Sequence, residues 1–148
     1  MKKRKQKNIL NKNQWIILIP LILVMILDLT FTIIGQPEYY WNNHSYFDEA
    51  NPIGKILLST GPLYFIAVFI IYLIGVLFII IKIHRPWNIM VYLGFFISHA
   101  WAGASWTSEI LSRYFLMNIN EFYSGIIYFI IIAIISGFCF NTINKTNT

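Results

Sequence analysis

Four long apolar stretches constrain the fold of this chain more than any other feature. They cover approximately residues 15–34, 62–82, 87–107 and 122–140. Each is close to the ~20 helical residues that cross a hydrocarbon core of ~30 Å. Each stretch is rich in isoleucine, leucine and phenylalanine on all sides of the helix, as expected of a helix that contacts lipid and protein rather than water. Because lipid cannot satisfy backbone polar groups, we expect helices rather than strands.

The chain has too few charged residues to be a soluble domain of its length. Of its 148 residues, 57% are hydrophobic and only 11% are charged, whereas about 25% charged is typical of soluble domains. The length suits a single domain, residues 1–148. The one cysteine, Cys139, leaves no internal disulfide and no CxxC-type metal or redox site. The sequence therefore predicts an all-α integral membrane four-helix bundle.

Basic residues are concentrated on one side of the predicted spans, beginning with a basic tail at residues 1–13. The apolar stretch after the tail is too long for a secretory signal and lacks its cleavage pattern, so we expect a retained helix. By the positive-inside rule, both termini are expected to be cytoplasmic in a multi-pass protein of the cell membrane. Nine of the eleven Lys and Arg residues lie on this side: Lys2, Lys3, Arg4, Lys5, Lys7, Lys12, Lys82, Arg85 and Lys145. Five of the six acids lie on the other side or at its edge: Glu38, Asp48, Glu49, Glu109 and Glu121.

The partners expected from this pattern are lipids. Each basic residue of the tail near an anionic headgroup contributes about 1 kcal/mol to membrane binding. Nucleic acid is not an expected partner, because no recognition module accompanies the basic tail. No internal repeat indicates an inverted-repeat transporter, although the helices could assemble with a second copy or with another protein.

The longest connection, residues 35–61, is predicted to be an outer loop with a short interfacial helix. Gly35-Gln36-Pro37 ends the first helix, because proline cannot continue a helix and disfavours helix before it. Asn51-Pro52 is typical of a helix start, so a helix is expected over about residues 52–59. Asn51 would then be a cap and Glu49 a solvated acid. Alternatively, both side chains fold back over the bundle.

Asp28 is the one acidic residue placed well inside a predicted span. A carboxylate there costs about 2.5–3.5 kcal/mol on insertion scales, so it normally faces a helix interface or a polar cavity. Thr32 lies four residues later on the same helix face, and Thr30 is nearby. A threonine hydroxyl could donate to the carboxylate. Either hydroxyl could instead bond back to its own helix.

His99 is predicted to lie at nearly the same depth as Asp28. Asp28 is ~20 Å along the first helix and His99 is ~18 Å along the third, which runs in the same direction. Three interpretations remain open. Asp28, Thr32, Glu49, Asn51 and His99 could form a structural polar network. The carboxylate and imidazole could instead handle protons or cations. Finally, His99, Asp28 and Glu49 could be the catalytic residues of an intramembrane hydrolase that binds a divalent metal.

The other polar residues are interpreted as structural. Tyr72 and Tyr128 are expected to be packing or interface residues. Glu109 and Arg113 are expected to be solvated loop charges with weak pairing.

Part of the chain resembles the DUF5658 family of small bacterial and archaeal membrane proteins. The resemblance rests on two motifs and the glycine between them: Asp28-Leu-Thr-Phe-Thr32, Gly35 and Glu49-Ala-Asn-Pro52. The resemblance covers about residues 20–80. It implies that the residues of these two motifs act as one unit, and it carries no established activity. That family has a lysine inside its second helix, whereas Lys82 ends the helix here.

Overall fold

The computed structural model describes residues 12–84, 86–117 and 119–146, and within them the chain is helical without strands. Most of the basic tail and Arg85 lie outside these residues. The helices are α1 (Lys12–Ile34), α2 (Pro52–Ser59), α3 (Pro62–Lys82), α4 (Trp87–Phe115) and α5 (Glu121–Thr146), with a 3₁₀ turn at Glu38–Trp41.

Three of the described helices are long and apolar enough to cross a membrane. These segments are Trp15–Ile34 in α1, Pro62–Lys82 in α3 and Glu121–Cys139 in α5. They agree closely with three of the predicted spans and are consistent with a membrane protein. The fourth prediction, residues 87–107, lies in α4, which has 29 residues but lower hydropathy. Its apolar stretch is interrupted by polar residues such as Asn88, Ser98 and His99.

Helices α1 and α4 are the central pair, because each packs against the other three long helices. The buried residues Leu21, Val24 and Met25 of α1 form one core with residues of the other three long helices. Small residues of α4, among them Ala100 and Ala104, are buried in this core and allow close approach of the backbones. The central position of α1 explains why a carboxylate on it lies in the interior.

Helix α4 is longer than predicted and runs in the same direction as α1. It continues to Phe115, so Glu109 and Arg113 are helical residues. The prediction that they are loop residues is wrong. Their side chains form an i,i+4 ion pair with 2.6 Å between Nη2 and Oε1. Beyond that pair, the hydroxyl of Tyr114 donates to the carbonyl of Ile34 at the end of α1. The carboxyl-terminal ends of the two helices therefore meet.

The outer loop folds into a small second core above α3. Tyr40 of the 3₁₀ turn, Leu58 of α2 and Phe65 of α3 are buried together. The Tyr40 hydroxyl donates to the Leu58 carbonyl at 3.1 Å. Helix α2 has the predicted bounds. Its outward face carries the exposed Ile53 and Ile56, as expected of a helix at an apolar boundary.

Candidate functional site

Asp28 and His99 meet between α1 and α4, as their predicted depths had suggested. The Nδ1 atom of His99 lies 2.7 Å from Oδ2 of Asp28. The His99 side chain is 13% exposed and the Asp28 side chain is 11% exposed. The contact joins residues 71 positions apart in the chain. It is short for a nitrogen–oxygen hydrogen bond, as is typical when the acceptor is charged.

Tyr72 of α3 completes a three-residue chain, although it had been interpreted as a packing residue. Its hydroxyl oxygen lies 3.1 Å from Nε2 of His99. An ionised carboxylate can only accept hydrogen bonds, so with Asp28 ionised the proton between the two groups is on Nδ1 of the imidazole. In the neutral ring, Nε2 is then the acceptor for the Tyr72 hydroxyl. The geometry fits the Nδ1–H tautomer of His99 beside an ionised Asp28.

Aromatic rings surround the outer side of the imidazole. The ring centroids of Phe69 and Tyr72 lie 5.8 Å and 5.7 Å from that of His99, and Phe95 packs against Tyr72. These rings keep bulk water from the imidazole on this side and lower the local polarity. In such surroundings hydrogen bonds are stronger than in water, and unpaired polar groups are more costly.

The two threonines near Asp28 behave differently. Thr30 is exposed, and its hydroxyl donates to the carbonyl of Ile26 in its own helix at 2.7 Å, so the alternative of back-bonding applies to it. Thr32 is buried, with only 4% of its surface exposed, and lies one turn beyond Asp28. Its backbone carbonyl accepts a hydrogen bond from the side chain of Gln36. Thr32 therefore belongs to the buried face of α1 that carries Asp28.

Asn51 has the role that local sequence predicts for it. Its side-chain oxygen accepts from the amide of Ile53 at 2.9 Å and caps α2. Its own amide donates to Oε1 of Glu49 at 2.7 Å. The Asn51 side-chain oxygen is thus engaged in the loop, and the described hydrogen bonds do not join it to Asp28.

Glu49 is half-buried beside α2 rather than fully solvated. Its side chain packs over Gly54, where an added Cβ would lie 2.9 Å from Cγ of Glu49. Burial raises the pKa of the Glu49 carboxyl above its ordinary value, and the negative charge of Asp28 raises it further. Glu49 therefore lies within the electrostatic influence of Asp28, although the described hydrogen bonds do not include it in the three-residue chain.

These positions bear on the metal hypothesis for Asp28, Glu49 and His99. Within residues 12–84, 86–117 and 119–146, no group of three His, Cys, Asp or Glu side chains is arranged to hold a metal ion. Asp28 and His99 form a pair, whereas the third expected ligand, Glu49, bonds to the amide of Asn51. The arrangement suits a proton shared between two groups better than a three-ligand metal site.

Gln36 connects this face of α1 to the outer loop, and sequence reasoning missed it. It is 1% exposed. Its amide nitrogen donates to the carbonyls of Thr32 and Asp48, and its amide oxygen accepts from the Asp48 amide. The backbone carbonyl of Gln36 accepts from the Arg113 guanidinium. The sequence offered one signal, a lone amide directly after a helix end, but not its partner twelve residues later.

Comparisons with known proteins assign no function to this chain, so a functional proposal must rest on the contacts described above. Tested against models of known families, against curated proteins and against solved structures, the chain matches none. The resemblance to the DUF5658 family stays a prediction.

Proposed function

We propose that this chain is a four-span protein of the cell membrane whose Asp28–His99–Tyr72 chain binds a proton in the outer half of the bilayer. The proposal treats the protein as a non-enzymatic element, such as an accessory subunit or a small transporter-like unit. The observation that carries it is the 2.7 Å contact between the Asp28 carboxylate and the His99 imidazole, two titratable groups paired away from bulk water.

Helix α4 is the span on which this topology depends. Its 29 residues correspond to about 43 Å of helix, enough for a hydrocarbon core of about 30 Å. Its packing against α1, α3 and α5 supports a crossing at the same depth as those helices. His99, one of the polar residues that lower its hydropathy, contacts Asp28 in the interior, where polar groups of spanning helices are normally found.

The sorting of charges supports an orientation with both termini in the cytoplasm. The loop that carries Asp48 and Glu49 would then lie outside, and the basic tail would contact anionic headgroups of the inner leaflet. The interfacial helix α2 would lie at the outer surface with Ile53 and Ile56 toward the lipid. Assembly with a second copy or another protein remains part of the proposal.

The chemistry of the chain is proton sharing. With the carboxylate ionised and the imidazole neutral, Nδ1–H donates to Asp28 and Nε2 accepts from Tyr72. A proton that arrives at Nε2 makes the ring an imidazolium, which the adjacent carboxylate stabilises. The Tyr72 hydroxyl must then turn its own proton away from Nε2. Tyr72 is the outermost of the three groups and is 40% exposed at the surface of α3, which the proposed topology turns toward lipid rather than water.

NMR of protein labelled with nitrogen-15 histidine and carboxyl-carbon-13 aspartate, in lipid bilayers, tests this proposal. We expect the neutral His99 ring to be the Nδ1–H tautomer, and its protonation to change the Asp28 carboxyl signal in the same step. His44 and His84, which lie in loops, are internal references. A His99 ring that stays neutral from roughly pH 4 to 9 would leave only a structural role for the pair.

Topology needs a separate experiment. A reporter fused after Thr148 should be active only on the cytoplasmic side. In a Cys139→Ser background, Leu116→Cys should react with a membrane-impermeant thiol reagent added outside, since Leu116 is 91% exposed just after α4. Labelling of Leu116→Cys only after the membrane is opened would contradict the proposed topology.

A further inference from the structure

A stripe of buried polar residues runs along α1 from Asp28 toward the outer loop. Asp28, Thr32 and Gln36 follow one another at intervals of four residues and are 8%, 4% and 1% exposed. Within a helix, residues four apart lie on one face, about 6 Å apart along the axis. Thr32 thus lies about 6 Å beyond the carboxylate, and Gln36 follows just after α1 ends at Ile34.

Helix α4 carries a matching stripe. His99, Gly103 and Thr107 have the same spacing; Gly103 and Thr107 are buried, and the Thr107 hydroxyl donates to the Gly103 carbonyl at 3.1 Å. The two helices run in the same direction and touch at Asp28 and His99, and Gly35, just after the end of α1, lies against the ring of Trp106 on α4. The middle members, Thr32 and Gly103, therefore share one level of this seam.

Tyr128 of α5 places a hydroxyl group at that level. Its ring lies 6.0 Å from the ring of Phe31, between centroids. A Cβ on Gly103 would lie 2.5 Å from the Tyr128 oxygen, so glycine leaves the space that the hydroxyl occupies. Tyr128 is 4% exposed, and among the described residues its hydroxyl has no hydrogen-bond partner.

An unpartnered hydroxyl in this position is unfavourable. Leaving a buried donor unsatisfied costs about 1–3 kcal/mol, and buried polar groups are commonly satisfied by internal water. Acceptors are at hand. The bond to His99 uses one of about four acceptor sites on the Asp28 carboxylate, and Thr32 lies one helical turn from Asp28 on the same buried face.

We propose that the seam between α1, α4 and α5 binds one internal water molecule, held by the hydroxyls of Tyr128 and Thr32 and by the free oxygen of Asp28. This inference rests on the proposed function and deepens it. The water would bring α5 into the polar chain, so that each of the four long helices contributes one polar group: Asp28, Tyr72, His99 and Tyr128. Tyr128 is a positioning residue in this arrangement, because it acts on Asp28 through the water.

Water-edited solid-state NMR of the full chain in lipid bilayers tests the water site. With ring-labelled tyrosine, we expect early magnetisation transfer from water to Cζ of Tyr128, a signal identified by its loss in Tyr128→Phe. Tyr40 is the matched reference, because it is equally buried but bonds to the Leu58 carbonyl. Thr32→Val should reduce the transfer to Tyr128 at least about twofold, since it removes one of the three partners of the water.

Two outcomes would overturn the water site. One is transfer to Tyr128 no faster than to Tyr40, and the other is equal transfer in Thr32→Val and the unmodified chain. The tautomer of His99 is read from the same samples, prepared with nitrogen-15 histidine as well as ring-labelled tyrosine. A Nδ1–H ring beside a dry Tyr128 would refute the water and leave the proton-binding proposal standing. A hydrated Tyr128 beside a Nε2–H ring would refute the proton-binding proposal and leave the water site standing.

Discussion

The energetic coupling between Asp28 and His99 can be measured with a double-mutant cycle. The single variants are Asp28→Asn, which keeps the shape of the side chain, and His99→Ala, which removes the donor. The contact is 2.7 Å long, with side chains only 11% and 13% exposed. It therefore belongs with hydrogen bonds to buried charged groups, which contribute about 1.5–3 kcal/mol, rather than with exposed ion pairs below about 1 kcal/mol.

The expected values follow from what each variant leaves behind. His99→Ala leaves a buried carboxylate without its partner, a change that typically costs about 3–5 kcal/mol. In the Asp28→Asn background the same substitution leaves a neutral amide rather than a carboxylate without its partner, so the loss should be smaller by about 2 kcal/mol. This difference is the coupling energy between the two side chains.

The assay is equilibrium unfolding in mixed detergent micelles, with a matched control on the same helix. Ile97 is 62% exposed on α4, and Ile97→Ala combined with Asp28→Asn should be additive within about 0.5 kcal/mol. If Asp28→Asn and His99→Ala are equally additive, the pair is not energetically coupled. The reasoning from its short distance would then be refuted.

Three further predictions concern the loop and the helix seam. Burial raises the pKa of Glu49 above its ordinary value of 4.5. The Glu49 carboxyl therefore binds its proton more tightly in the native state than in the unfolded state. As pH rises above about 4.5, the free energy of unfolding should fall. Glu49→Gln should thus raise the thermal midpoint at neutral pH but not at pH below that value; equal effects at both would contradict the assignment. Gly103→Ala should destabilise by about 1–3 kcal/mol through overpacking against the phenol of α5, whereas Gly94→Ala, where an added Cβ meets nothing within 4 Å, should not destabilise. Gln36→Leu removes three hydrogen bonds and should accelerate hydrogen exchange of the Asp48 amide; unchanged protection would show that Gln36 does not hold the loop.

Hydropathy alone predicted three of the four proposed spans, including the one that carries Asp28. These three stretches agree with apolar helices of the structure to within a residue or so. The fourth lies in α4, whose hydropathy is lowered by polar residues on more than one face, such as His99 beside Asp28 and the exposed Ser98. Composition averages over the whole circumference of a helix. It therefore cannot distinguish a polar side chain that contacts another helix from one that is exposed.

Depth along a helix could be predicted, but rotation about its axis could not. Counting residues placed Asp28 and His99 at one level, and they do meet. Tyr72 lies on a helix of opposite direction, and nothing in its local sequence distinguishes a phenol that reaches an imidazole from one that packs. Gln36 was missed for a related reason, because its partner at Asp48 depends on the path of the loop. Asn51 was predictable, since capping is decided within a few residues.

The separation of 71 positions between Asp28 and His99 also matters for biogenesis. On the proposed topology, α1 enters the membrane first, and its carboxylate has no imidazole partner until α4 has been synthesised. At 5–20 residues per second, that interval is about 4 to 14 s. During it the nascent first helix carries an unpaired acid that opposes its release into lipid. The arrival of α4 would be the step that allows the first helix to leave the insertion machinery.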